Sequence, residues 1–294
     1  MLFSIIIPTY NRAKMIEKAI KSVINQTYTE WELIVVDDGS TDNTKDVIEK
    51  FIKNDKRIKY HYQKNLERSV ARNNGVKIAK GDWICFLDSD DEYTKYHLSE
   101  FNELIIKNQK TKAIYFSGYS YDKASNKLEN YNESNTTKIE FILLNTISTP
   151  RACCYKNILI DYKFNQSLKI GEDKELWARI LNKYSFFYHK KKTVIQHRHN
   201  GRSVNNNYDL DDIKVLRKII SDNKNEISKT IKKRVLSNSY FYYSKKFTKN
   251  NTIKFIKFLI LSILLDPTNV QTKYKLNLFI TYFLNKQQFN KIIN

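Results

Sequence analysis

The sequence predicts an α/β fold: a mostly parallel sheet flanked by helices, followed by a basic helical extension. Three observations carry this reading. Short apolar runs of strand length alternate with segments of helical periodicity from the first residue onward. Polar and acidic clusters stand directly after several of those runs, where the chain of such a sheet turns from strand into helix. Beyond residue 206 the texture changes, with no glycine, a single proline (Pro267) and lysine-rich amphipathic segments.

Ser4 to Ile7 reads as a buried strand, and Met15, Ile16, Ala19, Ile20, Val23 and Ile24 recur at helical spacing, which predicts a helix from Arg12 to Gln26. A strand follows at Glu32 to Val36, then a helix from Thr44 to Lys53 with Val47, Ile48, Phe51 and Ile52 on one face. A strand at Ile58 to Tyr62, a helix from Ser69 to Ala79 and a strand at Trp83 to Leu87 complete a doubly wound half. Between Tyr93 and Asn205 the pattern is less regular. A helix carries Leu98, Phe101, Leu104 and Ile105, a strand lies near Ala113 to Ser117, and polar loops lead to a short cysteine-containing strand. A helix from Asp173 to Asn182 and two strands, Ser185 to Tyr188 and Thr193 to His197, close this half. The expected division is one α/β domain over 1–205 and a basic helical region over 206–294.

A chain of 294 residues with 41% hydrophobic content can bury one substantial core and a smaller appendage. Cys85, Cys153 and Cys154 lie in apolar runs, with the spacing of neither a disulfide framework nor a zinc site. Met1 leads straight into a strand-like run without a secretory pattern. The longest apolar stretch, Phe255 to Leu265, is broken by Lys257 and falls short of the roughly 20 residues needed to span a bilayer. A cytoplasmic protein is expected, with attachment to the cytoplasmic face of the inner membrane as an option.

The net charge of +20 fits nucleic acid, anionic lipid or a phosphorylated substrate equally well. From Asn206 onward 17 Lys and Arg face 6 Asp and Glu, so the basic excess is concentrated away from the acidic motifs. Phe255, Ile256, Phe258, Leu259, Ile260 and Ile263 stand among these basic residues. That composition suits peripheral contact with an anionic membrane, and equally a helical packing core with a basic outer face. The many tyrosines suit base stacking, but no nucleic-acid motif is present, so no nucleic-acid partner is expected.

Three polar clusters follow predicted strands: Thr9-Tyr10-Asn11, Asp37-Asp38 and Asp88-Ser89-Asp90-Asp91. Ligands of open parallel sheets bind beyond the carboxyl ends of the strands, so all three are expected to border one crevice. Three carboxylates within four residues after a buried strand repel one another unless a cation joins them. A hard divalent ion, Mg²⁺ or Mn²⁺, takes such oxygens and completes its shell with phosphate and water. Asp37-Asp38-Gly39-Ser40 taken alone is also a plain turn, and Asp173 alone is also a helix cap.

Four segments together resemble the family 2 glycosyltransferases of GT-A fold: Ser4 to Asn11, Val35 to Asp42, Phe86 to Asp91, and Gly171-Glu172-Asp173 with Leu176-Trp177. The likeness spans about residues 1–205. It implies a nucleotide-sugar donor, with Pro8, Thr9, Tyr10 and Asn11 in the loop against the nucleobase and Asp38 accepting a hydrogen bond from it. It also implies donor contacts from Arg72, Asn73 and Ser89, a divalent metal held by Asp88, Asp90 and Asp91, and Asp173 as general base. His199 resembles a residue of the segment that closes over the pyrophosphate. Two departures are visible: Asn65 to Ser69 lacks the glycine common there in relatives, and Arg202 reads as an insertion between Gly201 and Ser203.

The activity so implied is metal-dependent, inverting transfer of a sugar, UDP-linked in the first instance, to a glycan or lipid-linked acceptor hydroxyl in surface glycan or polysaccharide assembly. A metal neutralises the departing diphosphate and one carboxylate takes the acceptor proton. A sugar nucleotidyltransferase is the nearest enzymatic alternative, but Pro8-Thr9-Tyr10-Asn11 stands where its glycine-rich basic loop belongs. A nucleic-acid-binding protein is the non-enzymatic alternative.

Overall fold

The computed structural model describes residues 1–109, 112–121, 136–145, 147–197, 209–247, 251–268 and 271–284. These form two compact units, Met1–Lys138 with Asn145–Asn206, and Ile139–Leu144 with Asn207–Asn294.

The first unit is the mixed α/β architecture expected. Strands β1 (Phe3–Thr9) and β2 (Trp31–Asp37) are buried along their full length, which is why they read as unbroken apolar runs rather than alternating ones. Helix α1 (Ile16–Ile24) connects them, and α2 (Thr44–Asn54) leads to β3 (Ile58–Tyr62). Helix α3 (Arg68–Ile78) and β4 (Trp83–Phe86) follow, then a short β5 (Asp91–Tyr93), α4 (His97–Asn108) and β6 (Ala113–Tyr121). After α5 (Lys138–Leu144), whose residues 139–144 belong to the second unit, come β7 (Ala152–Tyr155), α6 (Lys156–Asp161), α7 (Glu172–Leu181) and β8 (Ser185–Gln196).

The sheet runs in the order β3-β2-β1-β4-β7-β6-β8-β5. The first four strands are mutually parallel, β7 is antiparallel to both its neighbours, and β5 is antiparallel to β8. Because β1 lies between β2 and β4, the chain crosses to opposite sides of β1, and the crevice of a doubly wound sheet opens at such a point. Thr9 pairs in register with Asp37, and the Leu87 N–H donates to the Ile6 carbonyl, so three strand ends finish side by side. The core beneath is apolar, with Ile5, Ile7, Ile20, Leu33, Val35, Cys85 and Phe101 among its buried members.

Several elements differ from expectation, among them α5 and α6, which stand where no helix was expected. Helix α1 starts at Ile16 rather than Arg12, because the Arg12 and Ala13 N–H groups donate to Thr44 Oγ1 and Asp42 Oδ2 and hold that segment as a turn. β8 is one strand rather than two, and it shifts register against β6 on either side of Gly118. The polar run His189 to Lys192 falls at this irregularity and hides its continuity in the sequence. β5 was not anticipated; its three residues are too few for an alternation to show.

In the second unit α8 (Asp209–Asp222), α9 (Lys229–Lys246), α10 (Thr252–Leu265) and α11 (Thr272–Leu284) form a helical assembly. The Ser228 and Asn251 side chains cap α9 and α10 by accepting from Ile231 N and Lys254 N. Two small cores hold it together, one of Phe241, Phe255, Leu259 and Leu278, the other of Ile213, Tyr240, Tyr243 and Phe258. Among the described residues no helix is long and apolar enough to cross a membrane.

Candidate active site

The loops after β1 and β2 are tied to each other. Asn11, at φ 51°, accepts through Oδ1 from Thr41 N at 2.8 Å, while its own N–H donates to Ser40 Oγ at 2.9 Å. Asp37 accepts from Ser40 N and from the Tyr60 hydroxyl, each at 2.8 Å. Both residues therefore shape the crevice wall. Asp38 is buried, and its Oδ1 accepts from Gln63 Nε2 at 2.7 Å and Leu66 N at 2.8 Å. Gly39 follows at φ 83°, where a Cβ would stand 2.9 Å from Asn65 N, so the close approach of these two loops requires glycine. Pro8 is buried within β1, Thr9 is buried at its end, and Tyr10 is exposed beyond it.

After β4 the chain turns tightly, with Asp91 N donating to the Asp88 carbonyl at 3.0 Å. Carboxylate oxygens of Asp88, Asp90 and Asp91 lie within 4.8 Å of one another, Asp91 fully buried and the other two partly accessible, with Ser89 buried between them. The second half of the sheet holds this turn from the far side: Asp91 pairs with Gln196, and His197 N donates to Asp91 Oδ1 at 3.2 Å.

Arg72, buried on α3, joins this cluster to α7. One terminal nitrogen donates to Asp88 Oδ1 at 2.8 Å, and the other to Glu172 Oε1 at 2.9 Å. Arg68, one turn earlier, pairs with the same Glu172 oxygen at 2.8 Å. Gly171, at φ 75°, turns the chain into α7, and Glu172 and Asp173 form the start of that helix, where its dipole favours negative charge. Burial pushes the Asp173 carboxyl up to about 6, and the Glu172 charge adds to the rise. The Lys174 N–H, donated to Asp173 Oδ1 at 2.7 Å, and the Lys174 and Arg72 charges oppose it. A carboxyl that ionises near 6 is poised to take up a proton at neutral pH.

The oxygen donors and their spacing fit a hard divalent cation. Three buried polar atoms nearby, Thr9 Oγ1, Ser69 Oγ and Arg72 Nε, lack a hydrogen-bond partner among the described residues. Such atoms cost free energy until water or a ligand meets them. Contacts thus join Thr9 to Asp38, whose N–H donates to the Thr9 carbonyl, and join the Asp88-Ser89-Asp90-Asp91 turn through Arg72 to Glu172, the neighbour of Asp173. Asn73 is turned elsewhere: its carboxamide donates to the Phe164 carbonyl at 3.0 Å and accepts from Phe164 N at 2.9 Å, clamping the segment before α7. His199 lies outside the described residues. Sequence reasoning missed Gln63, Arg68 and the role of Glu172 as counter-charge. Glu172 was visible beside Asp173, but its partner Arg72 is 100 residues away.

The family model for Glycosyl transferase family 2 matches residues 4–165. The GalNAc(5)-diNAcBac-PP-undecaprenol beta-1,3-glucosyltransferase of Campylobacter jejuni is 33% identical over 201 residues, covering 64% of this chain and 62% of that protein. A putative teichuronic acid biosynthesis glycosyltransferase of Bacillus subtilis is 40% identical over 120 residues, covering 40% of this chain and 47% of the relative. The chain thus spans less than two thirds of either relative. Among solved structures, S. aureus TarS 1-349 in complex with UDP-GlcNAc superimposes with a TM-score of 0.69 at 23% identity, covering 90% of this chain and 81% of that one. A mannosyltransferase from Pyrobaculum calidifontis in complex with GDP-Man and Mn²⁺ gives 0.62 at 13% identity, covering 99% and 83%. At these identities the likeness to the solved structures is one of fold, the GT-A fold.

Proposed function

The chain belongs to Glycosyl transferase family 2, and from that membership and the geometry of the crevice we propose that it transfers a sugar from a UDP-sugar to an acceptor hydroxyl, with inversion, in surface glycan assembly. The observation that carries the reading is the Arg72 guanidinium between Asp88 and Glu172, which ties the acidic cluster to the helix bearing Asp173. The UDP-GlcNAc complex of TarS supports a uridine donor, and the undecaprenol-linked substrate in the name of the Campylobacter relative supports a lipid-linked glycan acceptor.

In this reading Thr9 and Tyr10 border the nucleobase. Asp38 accepts from it through Oδ2, since Oδ1 is engaged by Gln63 and Leu66. Asp88, Asp90 and Asp91 hold a divalent cation, Mn²⁺ or Mg²⁺, which when bound supplies neutralising charge for the departing diphosphate. Ser89, in the turn after β4, faces the same diphosphate. Asp173 takes the acceptor hydroxyl proton as that oxygen attacks the anomeric carbon, and no general acid is required because the leaving group is already a weak base. Arg72 and Asn73 act by position, Arg72 holding the two acidic elements together and Asn73 fixing the chain that enters α7.

The test is a thermal-shift screen of UDP-, GDP- and dTDP-sugars with and without Mn²⁺, followed by donor hydrolysis with whichever binds. A ligand at a hundred times its dissociation constant adds about 2.7 kcal/mol of stability. A metal-dependent shift with a UDP-sugar and slow release of UDP are expected. No shift with any nucleotide sugar would overturn the proposal.

A further inference from the structure

The second unit carries a surface that the transfer reaction does not use. From residue 227 to 294 the only carboxylate side chain is Asp266, which is buried, against 13 Lys and Arg. Helices α9, α10 and α11 contain no Asp or Glu at all. These three helices have no counter-charge of their own, the acidic residues of this unit standing on α8 (Asp209, Asp211, Asp212 and Asp222) and at Glu140, Glu226 and the buried Asp266. A basic surface of that kind is the electrostatic signature of a polyanionic partner.

Bare charge does not distinguish a nucleic acid from an anionic bilayer, but the apolar residues do. On α10, Ile253, Lys257, Ile260 and Leu264 recur at intervals of four, three and four, so they form one stripe along the helix. Ile253 is 80% exposed and Leu264 71%, and Lys254 adjoins the stripe, also exposed. On α11, Lys273, Leu276, Ile280 and Phe283 repeat the arrangement, with Phe283 58% exposed. The opposite sides of the same helices carry Phe255, Leu259 and Leu278 into the core, so each helix is apolar on two sides, with its exposed lysines on or beside the outer stripe. A helix packed on one face needs no isoleucine, leucine or phenylalanine on the other unless that face meets something apolar. A nucleic-acid groove rewards aromatic stacking and lysine, not exposed aliphatic side chains. An interfacial helix has this composition, aliphatic residues entering the acyl boundary while lysines reach the phosphate level.

We propose that the exposed stripes of α10 and α11 dock the protein on an anionic phospholipid surface, the lysines meeting headgroup phosphates and Ile253, Leu264 and Phe283 entering the acyl boundary. This goes beyond the proposed transfer reaction and does not rest on it, because the surface uses none of the crevice residues.

Flotation of the full chain with vesicles of phosphatidylcholine alone, and of phosphatidylcholine with 30 mol% phosphatidylglycerol, tests it. Recovery is expected only with the anionic vesicles and should fall as salt is raised from 0.1 to 0.5 M. Lys254→Gln with Lys257→Gln should weaken partitioning roughly tenfold or more, since each lysine near such a surface contributes about fivefold. Ile253→Ser with Leu264→Ser should abolish recovery while leaving the melting temperature in place, as both side chains are exposed. Phe283→Trp should shift its fluorescence to the blue on adding anionic vesicles. Absence of recovery on anionic vesicles, equal recovery on neutral ones, or variants that float as well as the parent would overturn the proposal. So would retention on single-stranded DNA without retention on vesicles, which would assign the surface to nucleic acid. Activity with a soluble acceptor should be unchanged in the Ile253→Ser/Leu264→Ser protein, which separates failure of the docking surface from failure of the transfer reading.

Discussion

Replacing Asp173 by Asn should make the protein more stable while abolishing transfer. The carboxyl is pushed up from 3.8 to about 6, chiefly by burial and then by the Glu172 charge. Well below 3.8 the group is protonated in both the native and the unfolded chain and contributes no difference. Between about 4 and 6 the unfolded chain ionises while the native one keeps its proton, so the wild-type protein loses stability as pH rises through this window, and above 6 the loss is complete. Each pH unit of such a rise corresponds to about 1.4 kcal/mol, and partial solvent access to Asp173 screens some of it. The expected penalty at pH 7.5 is about 1 to 3 kcal/mol. Asn carries no charge at any pH, and its carbonyl can still accept the Lys174 N–H bond that Asp173 Oδ1 accepts. The Asn variant should therefore melt about 2 to 12 °C higher at pH 7.5, at about 2 to 4 °C per kcal/mol, and the gain should shrink steadily toward pH 4. Thermal unfolding followed by circular dichroism across pH 4 to 8 measures it. A gain independent of pH, or a loss at pH 7.5, would refute the claim that Asp173 is a desolvated acid. The same group acting as base predicts that kcat/KM of the parent falls below about pH 6.

Three further perturbations follow from the site. Arg72→Leu removes a buried cation from between Asp88 and Glu172 and should cost about 3 kcal/mol in urea unfolding, the lower end for a broken buried pair because Arg68 still meets Glu172; a cost below about 1 kcal/mol would show that the two acidic elements hold without it. Asp90→Ala should weaken UDP-sugar binding measured by calorimetry in Mn²⁺ and leave metal-free binding unchanged, and equal binding in Mn²⁺ would count against its part in a metal site. Glu67→Gly should stabilise by about 1 kcal/mol: Glu67 caps α3 at φ 76° and ψ 158°, a region nearly restricted to glycine that costs another residue about 1 to 3 kcal/mol. The lost ion pair with Lys169 is solvent-exposed and offsets only part of that gain. A lower melting temperature for this variant would refute it.

Glu67 also explains a departure noticed in the sequence. Asn65 to Ser69 lacks the glycine common in relatives, yet the backbone there keeps a conformation that glycine favours. The sequence showed the missing residue; only the fold shows that the turn survives without it. Residues 3–9, 31–37 and 83–86 were legible as strands because buried parallel strands leave unbroken apolar runs, and the crevice was legible because polar clusters follow those runs directly. β8 was read as two strands because its lysines sit at a register shift, and periodicity cannot register an irregularity imposed by the neighbouring strand.

The amino-acid sequence by itself determined the α/β class, the order of the elements from β1 to β4, and which carboxylates stand at the ends of which strands, since all of these depend on periodicity and turn chemistry within a dozen residues. The tertiary structure decided what those residues touch. It set Arg72 between Asp88 and Glu172, turned Asn73 onto the Phe164 backbone, and pushed the Asp173 carboxyl up to about 6. Each of these depends on desolvation or on a contact between segments far apart in the chain, and neither is written in any local stretch of sequence.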